Sequence, residues 1–146
     1  MLVATMRRNG AHTCLVTGGF TLFTERIAAM LGFDESRANK LVVDAGGRLT
    51  GEVCEPIFGR EAKLATLVEL THRLGLRREE TLVAGDGAND IGMIEAAGLG
   101  VAYHAKPKVA AAAAASIEHG DLTTLLYAQG YQREEFVSAE SGRRVD

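Results

Sequence analysis

Three short, continuously apolar runs recur along the chain, and each is followed by a glycine or polar turn. The runs are TCLVT at 13–17, TLVAG at 81–85 and LGVAY at 99–103. Runs of this kind are typical of strands that are buried on both faces of a parallel sheet. Because they alternate with helical patterns, they predict an α/β fold with a doubly wound parallel sheet covered by helices.

Helical patterns occupy most of the remaining chain. They predict helices at 1–10, 20–32, about 59–74, 91–98, 107–115 and 121–130. Ala110–Ala115 is assigned to the fifth of these because alanine has the highest helix propensity, and Asp121 is assigned as the N-cap of the last. In the second and third helices, large apolar side chains share one face and are expected to pack on the sheet: Phe20, Phe23, Ile27, Met30, Leu31, Leu64, Leu67, Val68 and Leu74.

The segment KLVVDAGGRLTGEV at 40–53 contains two short β patterns around a glycine turn. It predicts a small hairpin beside the main sheet. Residues 1–130 are therefore expected to form the α/β core. Residues 131–146 lose the periodicity and are predicted to be a mobile tail.

Composition narrows the classes of partner. The chain has 146 residues, 47% of them apolar, which is enough for one domain with a real core. A net charge of -3 argues against a nucleic-acid partner, and no apolar run is long enough to span a membrane. The arginines at the start follow the apolar residues, the reverse of a secretory signal, so a cytoplasmic location is predicted. Cys14 and Cys54 lack ligand spacing and are expected to be reduced thiols.

In parallel α/β sheets, ligands bind beyond the carboxyl ends of the strands. Three loops follow such ends here: TGG at 17–19, GDGAND at 85–90 and HAKP at 104–107. In the first, the Thr17 hydroxyl and the amides of Gly18 and Gly19 precede a helix N-terminus, an arrangement suited to a phosphate. A glycine turn that serves only to reverse the chain is an equally good reading of these three residues.

The second loop places two carboxylates four residues apart. Asp86 lies at the strand end and Asp90 at the start of the helix. Hard oxygen ligands at this position suit Mg²⁺, which takes one or two protein carboxylates and completes its shell with water and substrate oxygens. The alternative is helix capping by Asn89 or Asp90, which leaves Asp86 unexplained.

Lys63 lies near the start of the third predicted helix, next to its apolar stripe. Its ammonium could neutralise a phosphoryl oxygen or hold a carboxylate in place. Taken alone, a lysine at this position is more often an ordinary solvated side chain.

The order of these motifs carries a family resemblance. Thr17-Gly-Gly, then Lys63, then Gly85-Asp86-Gly-x-Asn89-Asp90 resembles the second, third and fourth motifs of the haloacid dehalogenase-like phosphohydrolases. Over about residues 2–130, the surrounding sequence is similar to the phosphoserine phosphatase group of that family. The resemblance implies Mg²⁺-dependent hydrolysis of phosphoserine through an aspartyl-phosphate, the last step of serine biosynthesis.

The same resemblance implies roles for single residues. The Thr17 hydroxyl, the Gly18 amide and Asn89 would bind the phosphoryl group, and Lys63 would neutralise it. Asp86 would be the Mg²⁺ ligand. Asp90 would order the metal-bound waters and Lys63, which makes Lys63 and Asp90 the catalytic residues of this chain.

One part of the family pattern is missing from the sequence. The family attacks phosphorus with the first aspartate of a D-x-D-x-T/V segment on a central strand. No aspartate of this chain has a second one two positions on. The segment FDESR at 33–37 is no substitute, because it follows a helix and comes after the Thr-Gly-Gly turn. We therefore expect a truncated core that lacks the nucleophile strand and the substrate-selecting cap.

This loss predicts that the strands at 13–17 and 81–85 have unpaired edges. The chain alone is then expected to be inactive, and to be poorly stable, to aggregate, or to complete its sheet in an oligomer. A phosphatase or phosphotransferase for another small phosphomonoester fits the same motifs. A catalytically dead phosphate-binding or regulatory module is the alternative outside enzymes. The phosphorylation domain of a cation-pumping ATPase shares a GDGxND segment, but the absence of membrane spans counts against it.

Overall fold

The computed structural model describes residues 1–138. The helices are α1 (Leu2–Arg8), α2 (Thr21–Leu31), α3 (Arg60–Arg73), α4 (Ile91–Ala96), α5 (Pro107–Ala110) and α6 (Thr124–Ala128). The strands are β1 (Cys14–Phe20), β2 (Glu35–Asn39), β3 (Leu41–Val43), β4 (Leu49–Val53), β5 (Leu82–Gly85), β6 (Leu99–Tyr103) and β7 (Ala115–Ile117). Short 3-10 turns lie at Arg78–Glu80, Ala88–Asp90 and Arg133–Glu135.

Parallel strands form the centre of the molecule, as the sequence predicts. β1 pairs with β2, and β5, β6 and β7 form a second sheet with β6 in the middle. The three apolar runs correspond to β1, β5 and β6, so the α/β class and these strands are confirmed. The predicted hairpin is also confirmed, since β3 and β4 pair antiparallel.

The best-buried part of the core surrounds β6. Val101 and Ala102 on this strand are 1% and 0% exposed, and apolar side chains of α4, α5 and α6 pack on its two sides. Within residues 1–138, β1 and β5 do not pair, and each has one edge without a partner strand. Leu15 and Val16 on β1 are only half-buried, and Ala84 on β5 is exposed. β1 and β5, whose apolar sequences are typical of buried strands, are thus only partly covered.

β2 was not predicted, because its sequence ESRAN is polar. Ion pairs hold it in place. Glu35 accepts hydrogen bonds from His12 and Arg73 and pairs with Arg37, and Arg37 also reaches Glu69 on α3. Partial burial of Glu35 opposes its ionisation, but the hydrogen bonds from His12 and Arg73 prevail and lower its pKa.

The prediction of a helix over Ala110–Ala115 is wrong in its second half. α5 ends at Ala110, and Ala115 begins β7, which pairs with β6. The Ala114 amide donates to the Gly100 carbonyl at 2.9 Å. Pairing with the central strand therefore overrides the helix propensity of alanine. α6 also begins later than predicted, because Asp121 accepts the Thr123 amide in a turn before the helix.

The apolar face of α2 does not pack on a sheet as predicted. Phe23, Ile27, Met30 and Leu31 are 62%, 46%, 78% and 56% exposed. On α3, Val68 is also exposed. α2 buries Thr24 and Ala28 instead, because within the described residues it covers only the two-stranded sheet of β1 and β2.

The end of the described chain contacts α1. The Val137 amide donates to the Thr5 hydroxyl at 2.8 Å, and Arg8 donates to the Glu135 carbonyl. These contacts cover part of the segment that was predicted to be a mobile tail, residues 131–146. Its residues 139–146 lie outside the described part of the chain, and its mobility stays a prediction.

Two further predictions concern thiols and membranes. Cys14 and Cys54 are free and half-buried, as expected for reduced thiols. Burial, with Glu35 nearby, raises the pKa of Cys14 to about 11. Among residues 1–138, no helix is both long and apolar enough to cross a bilayer.

Candidate functional site

The Thr-Gly-Gly turn is a bulge at the end of β1. Val16 pairs with Arg37 and Phe20 with Asn39, so three residues of β1 lie opposite one residue of β2. The extra length presents Gly18 and Gly19 to solvent immediately before α2 begins. Within the turn, the Gly19 amide donates to the Thr17 hydroxyl oxygen at 3.1 Å.

Asn39 joins this turn to the segment before α3, and sequence reasoning missed it. Its side chain is buried, and its amide nitrogen donates to the Gly18 carbonyl at 2.9 Å and to the Phe58 carbonyl at 3.3 Å. Its amide oxygen accepts the Phe58 N–H at 2.6 Å. Because its partners lie about 20 residues away in either direction along the chain, no local pattern marks this residue.

Lys63 and Asp90 form a buried ion pair. The Lys63 Nζ lies 2.7 Å from Asp90 Oδ1, and the two side chains are 6% and 9% exposed. α3 supplies the lysine from its first turn, and the 3-10 turn before α4 supplies the aspartate. Burying two charges costs free energy unless they are paired and hydrogen-bonded, as these are. Lys63 is therefore not an ordinary solvated lysine.

Asp90 also folds the loop that follows β5. Its second oxygen, Oδ2, accepts the amides of Asp86 and Gly87 at 3.2 and 3.1 Å. The alternative of helix capping is not what is seen, since α4 has no side-chain cap hydrogen bond and Asp90 binds amides of the preceding loop instead. Gly85 permits this close packing, since a Cβ at that position would lie 2.6 Å from the Asp90 Cβ.

Asp86 and Asn89 lie exposed on this loop. A Cβ built on Gly18 would be 4.0 Å from the Asn89 side-chain nitrogen, so the turn after β1 and the loop after β5 meet at one edge. Neighbouring residues thus connect the candidate residues of the two loops and α3, which are Thr17, Gly18, Asp86, Asn89 and the Lys63–Asp90 pair. In the described part of the chain, the Asp86 carboxylate has no hydrogen-bond or ion-pair partner, which leaves its oxygens available to a cation or water.

The residues fit a magnesium site only in part. Asp86 supplies one available carboxylate, whereas the Asp90 oxygens are engaged by Lys63 and two backbone amides. Between residues 1 and 138, no three His, Cys, Asp or Glu side chains cluster closely enough to hold a metal. Mg²⁺ can use as few as one or two protein carboxylates, so Asp86 suits it as one of several ligands.

In the third loop, HAKP, the His104 ring is engaged within the fold. His104 has a positive φ of 46° and hydrogen-bonds to the Gly120 carbonyl at 2.9 Å. Its ring stacks on Tyr103 with centroids 4.2 Å apart. His104 therefore adds no candidate residue to the site.

The family of the chain follows from its sequence. Residues 1–95, including the turn after β1, Lys63 and the loop after β5, match the haloacid dehalogenase-like hydrolase family, and the chain belongs to that family. Within it, the chain is similar to phosphoserine phosphatases. It is 42% identical to the phosphoserine phosphatase of Streptomyces coelicolor over 141 residues, which cover 96% of this chain and 34% of the relative.

Solved structures show the same likeness. The crystal structure of a probable phosphoserine phosphatase from Vibrio cholerae superposes with a TM-score of 0.81 at 37% identity, covering 88% of this chain and 42% of that one. A phosphoserine phosphatase solved as a phospho-aspartyl intermediate analogue gives a TM-score of 0.79 at 35% identity, covering 87% and 60%. The chain thus spans roughly a third of the length of the Streptomyces relative and less than two thirds of either solved chain.

Proposed function

We propose that this chain forms the phosphoryl-binding and metal-binding part of a Mg²⁺-dependent phosphomonoester hydrolase, with phosphoserine as its substrate. The observation that carries the proposal is the buried Lys63–Asp90 pair beside the exposed Asp86, at the edge where the Thr-Gly-Gly turn ends β1. Similarity to phosphoserine phosphatases over nearly the whole chain supports the choice of substrate. Its products would be serine and inorganic phosphate, which would place the reaction in serine biosynthesis, and a cytoplasmic location remains the prediction from the sequence.

Binding of the phosphoryl group is assigned to neutral donors and one cation. The Thr17 hydroxyl, the Gly18 amide and the Asn89 side chain would donate to phosphoryl oxygens. Lys63 would contribute its positive charge while Asp90 holds it. Phosphoryl transfer depends mainly on positioning and on stabilising charge on the equatorial oxygens, and these groups supply both.

Asp86 is assigned as a Mg²⁺ ligand. Its carboxylate is exposed, and within residues 1–138 no side chain or amide competes for it. When bound, the metal would neutralise phosphoryl oxygens alongside Lys63. Asp90 would orient water near the metal only through the lone pairs that its bonds to Lys63 and to the amides of Asp86 and Gly87 leave free.

The nucleophile is assigned to a strand other than those described. In residues 1–138, β1 and β5 each have an unpaired edge, and their carboxyl ends carry the two halves of the site. A parallel strand between them would bring an aspartate to the phosphoryl group and pair both edges. The chain alone is therefore expected to release phosphate from phosphoserine only at background.

The test is complementation. The 146-residue chain is co-expressed with the part of the Streptomyces coelicolor relative that it does not match, and phosphate release from phosphoserine is measured with Mg²⁺ and with a chelator. We expect hydrolysis in the complex with Mg²⁺ only. Asp86→Asn should reduce it at least about 100-fold, because Asp86 is exposed and its loss removes a ligand rather than a fold contact.

Asp44→Asn is the matched control, because Asp44 lies in the β3–β4 turn and asparagine can still accept the amides of Gly46 and Arg48. It should keep full activity. Robust hydrolysis by the chain alone, or a stable complex without hydrolysis, would contradict the proposal. The second outcome, together with retained phosphate binding, would favour the phosphate-binding module that the missing D-x-D pattern also allows.

A further inference from the structure

Asn39 occupies a position that no site motif includes, at the end of β2 and 7% exposed. We propose that it is a positioning residue that fixes the Thr-Gly-Gly turn and the start of α3 relative to each other, and thereby aims Thr17 and Lys63 at one phosphoryl group. This inference rests on the proposed function. The three hydrogen bonds of its side-chain amide carry it.

The first consequence concerns the Thr17 hydroxyl. Asn39 holds the Gly18 carbonyl, and in a trans peptide the N–H of the next residue points the opposite way. That N–H belongs to Gly19 and donates to the Thr17 oxygen at 3.1 Å. Because one lone pair of this oxygen is engaged, the hydroxyl proton is left to donate outward. Asn39 therefore orients the Thr17 hydroxyl as a donor through one peptide unit, and each bond in such a chain polarises the next.

The second consequence concerns Lys63. Asn39 engages both backbone groups of Phe58, and Gly59 after it is the N-cap residue of α3. The Gly59 carbonyl accepts the Lys63 amide at 3.0 Å, so Lys63 lies one helical turn from the anchored residue. Fixing Phe58 thus fixes the first turn of α3 and the lysine on it.

Asparagine is suited to this position by its chemistry. Two donors on one nitrogen and an acceptor oxygen meet two carbonyls and one N–H. Aspartate keeps the acceptor for the Phe58 amide but directs a second oxygen at the Gly18 and Phe58 carbonyls. Alanine loses all three bonds, which leaves the backbone groups of Gly18 and Phe58 without the Asn39 side chain as a partner.

The experiment uses the complex of the complementation test, in which only the 146-residue chain is ¹⁵N-labelled, and it has two readouts. Without ligand, hydrogen exchange of the Phe58 amide and the chemical shift of the Gly19 amide report the hydrogen bonds of the Asn39 side chain. With Mg²⁺ present, titration with inorganic phosphate gives a Kd from the Gly18 and Gly19 amides. The variants are Asn39→Ala and Asn39→Asp, with Thr5→Val as the control, since Thr5 is also buried and hydrogen-bonded but belongs to α1.

For Asn39→Ala we expect faster Phe58 exchange, a shifted Gly19 resonance and a Kd for phosphate raised about tenfold, the equivalent of one good hydrogen bond. Asn39→Asp should keep Phe58 protected yet shift Gly19 and weaken phosphate binding as much as alanine does. A role in stability alone would not separate the protection of Phe58 from the Gly19 shift and the phosphate affinity in this way. Thr5→Val should lower stability without changing either readout.

Two results would overturn the inference. One is Asn39→Ala with Phe58 exchange, the Gly19 shift and phosphate affinity all as in the wild type. The other is an effect of Asn39→Ala that Thr5→Val reproduces, or that appears equally at the amides of β6, since it would then reflect global stability. If the wild type binds no phosphate, the proposed function fails independently of this inference. The ligand-free readouts then still decide whether Asn39 holds the Thr-Gly-Gly turn and Phe58 in place.

Discussion

Gly85 determines whether Asp90 can reach its partners, because the aspartate side chain packs directly over the glycine. A Cβ on residue 85 would lie 2.6 Å from Asp90 Cβ and 2.8 Å from Asp90 Oδ2, which no side-chain rotation can relieve at the Cβ itself. Gly85→Ala should therefore displace Asp90 from Lys63 and cost about 1 to 3 kcal/mol of unfolding free energy. Urea denaturation of the variant and the wild type measures this loss of unfolding free energy.

Gly59→Ala is the matched control, since a Cβ at residue 59 meets no atom within 4 Å. Its φ of -117° is ordinary for alanine. The control should unfold within about 0.5 kcal/mol of the wild type, the range of neutral surface changes. Equal stability of Gly85→Ala and Gly59→Ala would mean that the loop after β5 yields easily and that Asp90 is not held in place by packing.

At the level of secondary-structure elements, β2 depends on the ionisation of Glu35. Hydrogen bonds and charges from His12, Arg73 and Arg37 outweigh partial burial and hold the pKa of Glu35 below its ordinary value. An ionised state favoured in the folded protein stabilises it above the unfolded pKa of about 4.3 and loses that effect as the pH falls through the lower folded value. Glu35→Gln should therefore destabilise at pH 7, by about 1 kcal/mol or less because the arginines are partly exposed.

Denaturant midpoints measured from pH 7 downward test this dependence. The difference between Glu35→Gln and the wild type should shrink once the pH falls below about 4.3. Glu25→Gln is the control, because Glu25 is an exposed glutamate of α2. A difference that stays constant with pH would show that Glu35 stabilises β2 by packing and not by charge.

The elements also show where sequence patterns are sufficient. β6 is apolar and buried, so its pattern and its burial agree, and the strand is placed correctly to the residue. β2 and β7 depend on partners far along the chain: ion pairs from α3 for a polar strand, and the ladder of β6 for an alanine segment. Asp86 could be selected from its place at a strand end and Lys63 only through the family resemblance, whereas Asn39 could not be selected, because its function lies in contacts that only the folded chain creates.

At the scale of the whole molecule, the two parallel sheets approach each other at their carboxyl ends. Gly18 approaches Asn89 there, while β1 and β5 do not pair within residues 1–138. A strand edge without a partner presents unpaired N–H and C=O groups and is a template for another chain. The exposed apolar side chains of α2 lie on the helix that packs against β1 and β2. Both features favour association over a lone monomer.

Sedimentation of the 146-residue chain over a range of concentrations tests this expectation. We expect species larger than a monomer whose fraction rises with concentration, and a broad thermal transition. The double variant Phe23→Ser, Met30→Ser makes the α2 face polar at two residues that are 62% and 78% exposed and leaves both strand edges intact. If the edges drive association, the variant should still associate; a variant that becomes monomeric would attribute association to α2 instead. A wild-type chain that sediments as one monomeric species and melts cooperatively would show that neither surface needs a partner.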